Sequence, residues 1–473
     1  MSATLTPDVC VVGAGAAGLV VAAAAAQLGL DVVLVERGAM GGDCLNHGCV
    51  PSKALIAAAR IAQAQRDGGP FGIAPVEPTV DFARVMDHVA RTIAALAPHD
   101  SVERFEGLGV RVVRAEARFV GPTELQAGSL RIRSRRIVLA TGSRPAVPPL
   151  PGLAGVPYLT NETLFANRRL PTHLVVIGGG PIGLEMAQAH RRLGAAVTVV
   201  EAGAILARDD RDCAAIVAAR LREEGVVIHE ATRVAEVARD GDGIALRLEG
   251  GDRLAASHLL VATGRTPTVD GLDLEAAGVR HDAHGITVDA AMRTSNRHVW
   301  AIGDCNGRHA FTHMAAHEAS LFVRGALFRL PARLDPDRVP WCTYTDPELA
   351  QVGLTERQAA ARGLDPQVLR WPMAENDRAR TERRTEGLVK VVADRRGRLL
   401  GASIASPQAG ELIQPWGLAL QAGLKLSALA GAVPPYPTLG EAGKRAAGSF
   451  YAPKLFGPMA RTAVRWLARL PVW

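Results

Sequence analysis

Apolar runs along the chain are short, and glycine or proline ends nearly every one. Residues 8–12, DVCVV, close on Gly13, and an Ala-rich stretch follows GAGAAG. This pattern predicts a buried strand, a tight turn and a buried helix. Hydropathy alone would assign the 20-residue apolar window at 11–30 to a membrane span. The glycines interrupt that window after a strand-length run, so strand–turn–helix is the better reading. DVVLVE ending at Glu36, IVLATG at 137–142, HLVVIG at 173–178, AVTVVE ending at Glu201, LLVATG at 259–264 and WAIGDC at 300–305 predict further buried strands. Beyond 340 the runs LVKVV and LLGASI predict strands and 411–430 predicts helix, a mixture that reads as α+β.

The strand pattern contains a duplication. Gly13, Gly15 and Gly18 form one GxGxxG, and Gly178, Gly180 and Gly183 form another. In each copy an acid closes the next apolar strand 23 residues after the first glycine, Glu36 in one and Glu201 in the other. Each copy later carries an apolar run ending in ATG. The first glycine permits the turn, the second lets backbone approach a pyrophosphate, and the third lets helix pack on strand. A helix N-terminus then offers free N–H groups to the anion, and the acid accepts from ribose hydroxyls. One such motif is weak; two in full context predict two dinucleotide sites.

Composition adds exclusions. The chain has 473 residues, 48% hydrophobic and 21% charged, which rules out disorder. Lys+Arg 54 against Asp+Glu 47 gives a modest net charge of +7, and the basic residues are not clustered into runs, which argues against nucleic acid. Only five of the 54 basic residues are lysine: Lys53, Lys390, Lys425, Lys444 and Lys454. No secretory leader pattern is visible, so a cytoplasmic location is expected. Six cysteines are too few for a disulfide scaffold. Cys10, Cys213, Cys305 and Cys342 are isolated and read as buried small apolar residues.

Cys44 and Cys49 are different, with four residues between them in GGDCLNHGCVPSK. A zinc site using His47 would need further ligands, and a structural disulfide suits a cytoplasmic protein poorly. A cycling dithiol/disulfide near a helix start fits best, because thiolates there are stabilised and exchange readily. This segment resembles the GGxCxNxGCxPSK signature of the FAD-dependent pyridine nucleotide-disulfide oxidoreductases, which include dihydrolipoamide dehydrogenase, glutathione reductase and mercuric reductase. The resemblance runs from about residue 8 to 450.

The resemblance implies two Rossmann-like domains, for FAD and NAD, and a C-terminal α+β dimerisation domain in a homodimer. Composition shifts along the chain, read with that resemblance, place FAD binding over 1–148 and again over 267–337, NAD(P) binding over 149–266, dimerisation over 338–450, and a basic amphipathic tail over 451–473. Cys49 would face the flavin, Cys44 would exchange with a small-molecule acceptor, and Lys53 would pair with Glu185. FAD would contact Gly13, Gly15, Ala17, Gly18, Glu36, Gly42, Asp43, Lys53, Ala117, Gly142, Ser143 and Asp304, and the stretch Ala310, Phe311, Thr312 and His313. NAD would contact Gly178, Gly180, Gly183, Glu201 and Gly264, with NADH expected over NADPH. Arg208 and Arg211 lie close enough in sequence to question that preference. Lys53 is the sole lysine before residue 390. A compact, movable ammonium suits a flavin-edge ion pair better than a planar guanidinium.

The sequence departs from the lipoamide and glutathione pattern at PPYPTLGEAGKRAAG, where Tyr436 stands in place of the family histidine and Glu441 is retained. That version resembles mercuric reductases, yet no cysteine follows Cys342 to complete their C-terminal pair. The expected function is a mercuric-reductase-like flavoprotein passing electrons from NAD(P)H to a disulfide, metal–thiol or similar acceptor. A dihydrolipoamide dehydrogenase is the alternative. Readings from other classes are a flavin monooxygenase and a non-enzymatic, membrane-associated flavin protein. The tail motivates the last: Met459, Trp466, Leu467, Leu470 and Trp473 share one helical face, with Arg461, Arg465 and Arg469 opposite and Pro458 at a helix start. A helix docked on its own dimer and an interfacial membrane helix over 456–473 both fit that face.

Overall fold

A computed structural model describes residues 4–471. The chain divides into two compact units, 1–202 with 225–335, and 203–224 with 336–473.

The first unit carries both nucleotide-binding sheets. Val9–Val12 pairs in parallel with Val32–Glu36 and Ile137–Leu139. Val110–Arg114 and Val299–Ala301 complete five strands, in the order 299–301, 137–139, 9–12, 32–36, 110–114. The strand of WAIGDC therefore returns to the first sheet after the whole second sheet has been formed. The second sheet is also parallel: Val226–His229, Ala196–Val200, His173–Ile177 and His258–Val261. The central strands, among them 9–12, 137–139, 173–177 and 258–261, are buried on both faces, which is why they read as Val/Ile/Leu runs. The apolar window at 11–30 is the end of a strand plus the helix Ala16–Gln27. Among the described residues no helix is long and apolar enough to cross a membrane.

The two stretches that join these sheets, around 144 and around 266, are not independent linkers. Ser143–Pro145 and Arg265–Pro267 form an antiparallel ladder, so both crossings are held together by backbone hydrogen bonds.

The second unit is built on a five-stranded antiparallel sheet, Pro340–Thr343, Glu348–Gly353, Leu399–Ser406, Leu388–Ala393 and Gln367–Pro372. Val352, Met373, Val391, Ile404, Trp416 and Ala446 are buried in its core. The helical stretch expected at 411–430 is broken into Ala409–Leu412, Gln414–Gln421 and Leu426–Gly431. Arg211–Glu223 joins this unit and packs on the strands at 348–353 and 399–406. Lys390 binds it there: its Nζ lies 2.8 Å from Asp210, 2.8 Å from Asp212 and 2.7 Å from Glu356.

The tail helix spans Pro458–Leu467 and has no buried residue. Met459 is 87% and Trp466 63% exposed. Leu470 lies past its end, and Trp473 lies outside the described residues.

Candidate active site

The two fingerprints are built alike to the level of single hydrogen bonds. Gly13 donates to Val35 O at 2.8 Å and Gly178 to Val200 O at 2.9 Å. Their φ values are 106° and 115°. A side chain at either would also strike a carbonyl, Ala140 O at 2.3 Å or Ala262 O at 2.4 Å, so only glycine fits. Glu36 Oε2 accepts from Ala14 N–H at 2.6 Å, and Glu201 Oε2 accepts from Gly179 N–H at 2.6 Å. Each acid is thus pinned beside the turn it serves. The helices Ala16–Gln27 and Pro181–Arg192 begin after the extended residues Gly15 and Gly180, and no side chain caps either N-terminus.

These features fit a dinucleotide. The uncapped N-termini leave N–H groups for a pyrophosphate. A Cβ at Gly180 would meet nothing within 4 Å, so the backbone there is open to an approaching ligand. Glu36, Ala117, Thr141 and Thr268 line one cleft at the carboxyl ends of the first sheet, where open α/β sheets bind ligands.

The cysteine segment packs on the first fingerprint. Gly41 and Gly42 take φ values of 85° and 60°. A Cβ at Gly42 would lie 2.6 Å from Gly15 Cα, so this contact too requires glycine. Cys44 sits in the short helix Gly42–Asn46, and Cys49 opens the helix Cys49–Arg66. Both are free thiols, Cys49 exposed and Cys44 half-buried. The Cys49 thiol is brought down to about 6 by a hydrogen bond with Cys44, helped by Thr312 and by the Lys53 ammonium. Thr312 Oγ1 is 3.3 Å from Cys49 Sγ. Cys44 moves the opposite way, raised chiefly by that same shared bond. One sulfur is therefore set up as a thiolate and its neighbour as the proton carrier. Cys10 and Cys305, fully buried, are pushed up to about 12 and are inert by comparison. Cys213 is buried as expected, whereas Cys342 is only half-buried, near Glu348.

Lys53 Nζ donates to Glu185 Oε2 at 2.8 Å, as expected. Glu185 is 6% exposed at the side chain and Lys53 36%, so the carboxylate is desolvated while the ammonium keeps part of its solvent. Ala310 to His313 lead into the helix Thr312–Phe322, with Phe311 and His313 stacked at 5.3 Å. Gly142 and Gly264 take φ values of 69° and 121°, each just after its apolar strand. Ala17 is buried, and a Cβ at Gly303 would touch it at 3.5 Å.

Asp43 and Asp304 belong to a network with members that the sequence did not announce. Ser143 Oγ donates to Asp304 Oδ2 at 2.6 Å, and Arg265 Nε donates to Ser143 Oγ at 2.6 Å. Arg265 also lies 3.2 Å from Asp43, which accepts from Asn161 Nδ2 at 3.0 Å. Burial pushes the Asp304 carboxyl above the usual range. Arg265 directly follows LLVATG, and that adjacency was the available signal; nothing local singles out Asn161. Glu318 is a further unannounced residue. Fully buried, it accepts from Gly303 N–H and Asn306 Nδ2, both at 2.7 Å, and so fixes the turn that presents Asp304. Burial raises its carboxyl to about 7.

In the second unit, Tyr436 Oη donates to Asp377 Oδ2 at 3.1 Å, and Glu441 opens the helix Glu441–Ser449. The partner of Tyr436 is thus Asp377, a residue that the sequence did not single out. Asp377 pushes the tyrosine hydroxyl above its ordinary value, with Glu441 adding to the effect.

Comparison with known proteins decides the family. Residues 7–319 match the family described as pyridine nucleotide-disulphide oxidoreductase, and residues 339–447 match its dimerisation domain. The chain belongs to this family. Similar relatives include a mercuric reductase of Streptomyces lividans, 37% identical over 94% of this chain and 96% of its own length. A dihydrolipoyl dehydrogenase of Halobacterium salinarum is 37% identical over 93% of this chain and 95% of its own. Among solved structures, the HOCl-induced flavoprotein disulfide reductase RclA of Escherichia coli, as its Cu(II) complex, superposes with a TM-score of 0.85. It is 29% identical and covers 94% of this chain and 99% of its own. The oxidoreductase therefore uses FAD and NAD(P)H, as expected, and is an enzyme rather than a flavin-binding scaffold. Its dimerisation domain supports the expected homodimer.

Proposed function

We propose that this oxidoreductase moves two electrons from NADH to the Cys44–Cys49 pair and on to a metal–thiol complex, quinone or small reactive disulfide. Bound FAD supplies the hydride-accepting chemistry between nicotinamide and sulfur. The protein holds Cys49 as the thiolate beside Lys53–Glu185 and leaves Cys44 to exchange with the acceptor. With a disulfide acceptor, NADH and one proton are consumed and two thiols are released.

The observation that carries the acceptor class is Tyr436. The resemblance places a histidine here, brought from the partner subunit to move the substrate's proton. Tyr436 is held by Asp377 further from a neutral working pH than a free tyrosine, which already titrates near 10. Positioned acid–base assistance is typically worth roughly 10²–10⁴-fold. Dihydrolipoamide and oxidised glutathione should therefore be turned over poorly. Tyr436→His should raise lipoamide turnover at least about tenfold, with Asp377 or Glu441 to orient the ring. Efficient wild-type lipoamide turnover, indifferent to Tyr436→Phe, would instead favour a dihydrolipoamide dehydrogenase. The Streptomyces relative, a mercuric reductase, supports an acceptor containing a soft metal.

Glu201 carries the nicotinamide preference. A carboxylate at the end of this strand accepts from a ribose 2′-OH and repels a 2′-phosphate. Arg211 is committed elsewhere, donating to the carbonyls of Ile205 at 2.9 Å and Leu206 at 3.4 Å. Steady-state assays should give a higher kcat/KM with NADH than with NADPH, and Glu201→Gln should narrow the gap.

The tail motivates a peripheral membrane contact. Its apolar face, from Met459 to Leu467, is exposed and its arginines face the other way. The full chain should co-sediment with anionic vesicles, and truncation after Pro453 should release it. Absence of sedimentation would assign the helix to the protein's own dimer.

A further inference from the structure

The strands Ile137–Leu139 and Val299–Ala301 run parallel, so they share a carboxyl end and an amino end. The carboxyl end carries Gly142, Gly303 and Asp304, on the dinucleotide side. The amino end carries Arg135, Arg136, Arg297 and His298, which with Arg293, Arg329 and Arg333 line a separate cleft of about 870 Å³. That volume falls in the roughly 300–1,000 Å³ range of small-ligand sites. Trp300 forms part of its apolar floor, fixed edge-on against Phe322 at 5.2 Å.

The charge balance of this cleft is unusual for the molecule. Six arginines line it, and no carboxylate does. Elsewhere in the same unit some surface arginines are paired, Arg118 with Asp273 at 3.4 Å, Arg131 with Glu124 at 3.0 Å and Arg144 with Asp270 at 2.7 Å, and others among the described residues, such as Arg111 and Arg133, stand singly on exposed strand faces. Among the described residues none of the six cleft arginines forms an ion pair. The neighbouring Asp289 is occupied, accepting from the N–H groups of Ala291 at 2.8 Å and Arg293 at 2.9 Å. Concentrating like charges around one concavity is unfavourable unless a counter-charge occupies it.

The backbone of the cleft is also out of the ordinary. The helix Thr312–Phe322 runs into a π-helical turn, Val323–Leu327, which supplies Gly325 and Ala326 to the wall. Arg329 follows in the left-handed region at φ 57°, where a long side chain is rarely found. Both features recur at functional sites.

We propose that this cleft binds a ligand carrying several phosphate charges. Arginine's planar fork suits phosphate oxygens bidentately, and six forks exceed what one monoanion needs. The inference stands apart from the acceptor reading. A free polyphosphate and a phosphorylated lipid headgroup present the same chemistry, so two probes are required. Titration calorimetry of the FAD-loaded full chain with inorganic tripolyphosphate should show one saturable site per chain, weakening steeply with salt. Arg293→Ala with Arg297→Ala should weaken binding at least tenfold and flatten the salt slope. Arg118→Ala with Arg131→Ala, at paired arginines of the same unit, should change neither. Flotation with phosphatidylcholine vesicles, with and without phosphatidylinositol 4,5-bisphosphate, forms the second arm. Binding only to the phosphorylated vesicles, lost in the Arg293/Arg297 variant, assigns the headgroup as the source. The single Arg297→Gln variant, checked for FAD content and NADH oxidation, guards against misfolding. Failure of both probes to bind, or binding unchanged in the cleft variants, overturns the proposal.

Discussion

Cys49→Ser will abolish disulfide reduction, while Cys44→Ser will leave a long-wavelength absorption band visible without added reductant. The band arises from a Cys49 thiolate against oxidised flavin, so it disappears in Cys49→Ser and persists when only Cys44 is lost. Removal of a nucleophile typically costs roughly 10³-fold or more, and either variant should fall that far in disulfide turnover. In the wild-type two-electron-reduced protein, the band should titrate with the Cys49 thiol, held to about 6 by its bond with Cys44 and by Thr312 and Lys53. The thiolate is the form present above that pH, so absorbance is lost as pH falls through it. Cys44→Ala removes the leading hydrogen-bond partner, so the midpoint should shift upward; Lys53→Met should shift it upward as well. Visible spectra across a pH series check all three. Wild-type turnover in both cysteine variants would remove the dithiol from the mechanism.

Lys390→Met should cost the second unit about 3–5 kcal/mol, the usual penalty for breaking a buried ion pair from one side. Lys390 and Asp210 are each only 4% exposed at the side chain, so that pair dominates. Asp212 and Glu356 are 47% and 40% exposed, and solvent screens most of what they add. Asp210 also caps the helix Arg211–Glu223 through Oδ1, accepting from Asp212 N–H at 3.1 Å and Cys213 N–H at 3.4 Å. Lys390→Met leaves that cap intact and isolates the charge effect. The pH dependence follows from the direction of each shift. The network raises Lys390, so its stabilisation would be lost only in strong alkali. Lys390 lowers the Asp212 and Glu356 carboxyls, so their small contribution is present above the usual carboxylate range and lost in acid. Denaturant unfolding of the full chain, following the second unit, should show the earlier midpoint. A change under about 1 kcal/mol would mean that water replaces the lost ammonium.

The rarity of lysine already pointed to Lys53, and the family resemblance implied its partner. The same rarity applied to Lys390, but its three carboxylates are dispersed over more than 140 residues, and no local signal connected them. Arg265 was legible only as part of a crossing between domains, because its role depends on the ladder with Ser143–Pro145. Tyr436 stood out as a departure, but its partner Asp377 lies 59 residues away along the chain and had no local signal.

The sequence alone was enough to read the two dinucleotide folds and to single out the cysteine pair. Those features depend on local rules: which glycines a turn tolerates, how far an acid lies along the next strand, and which sulfurs stand near a helix start. Tertiary structure alone decided the rest. It brought Thr312 to 3.3 Å from Cys49 Sγ across 263 residues of chain. It collected unpaired arginines from three chain segments, 135–136, 293–297 and 329–333, around a single cleft. No run of basic residues marks that cleft, because charges add in space and sequence spacing records only neighbours along the chain.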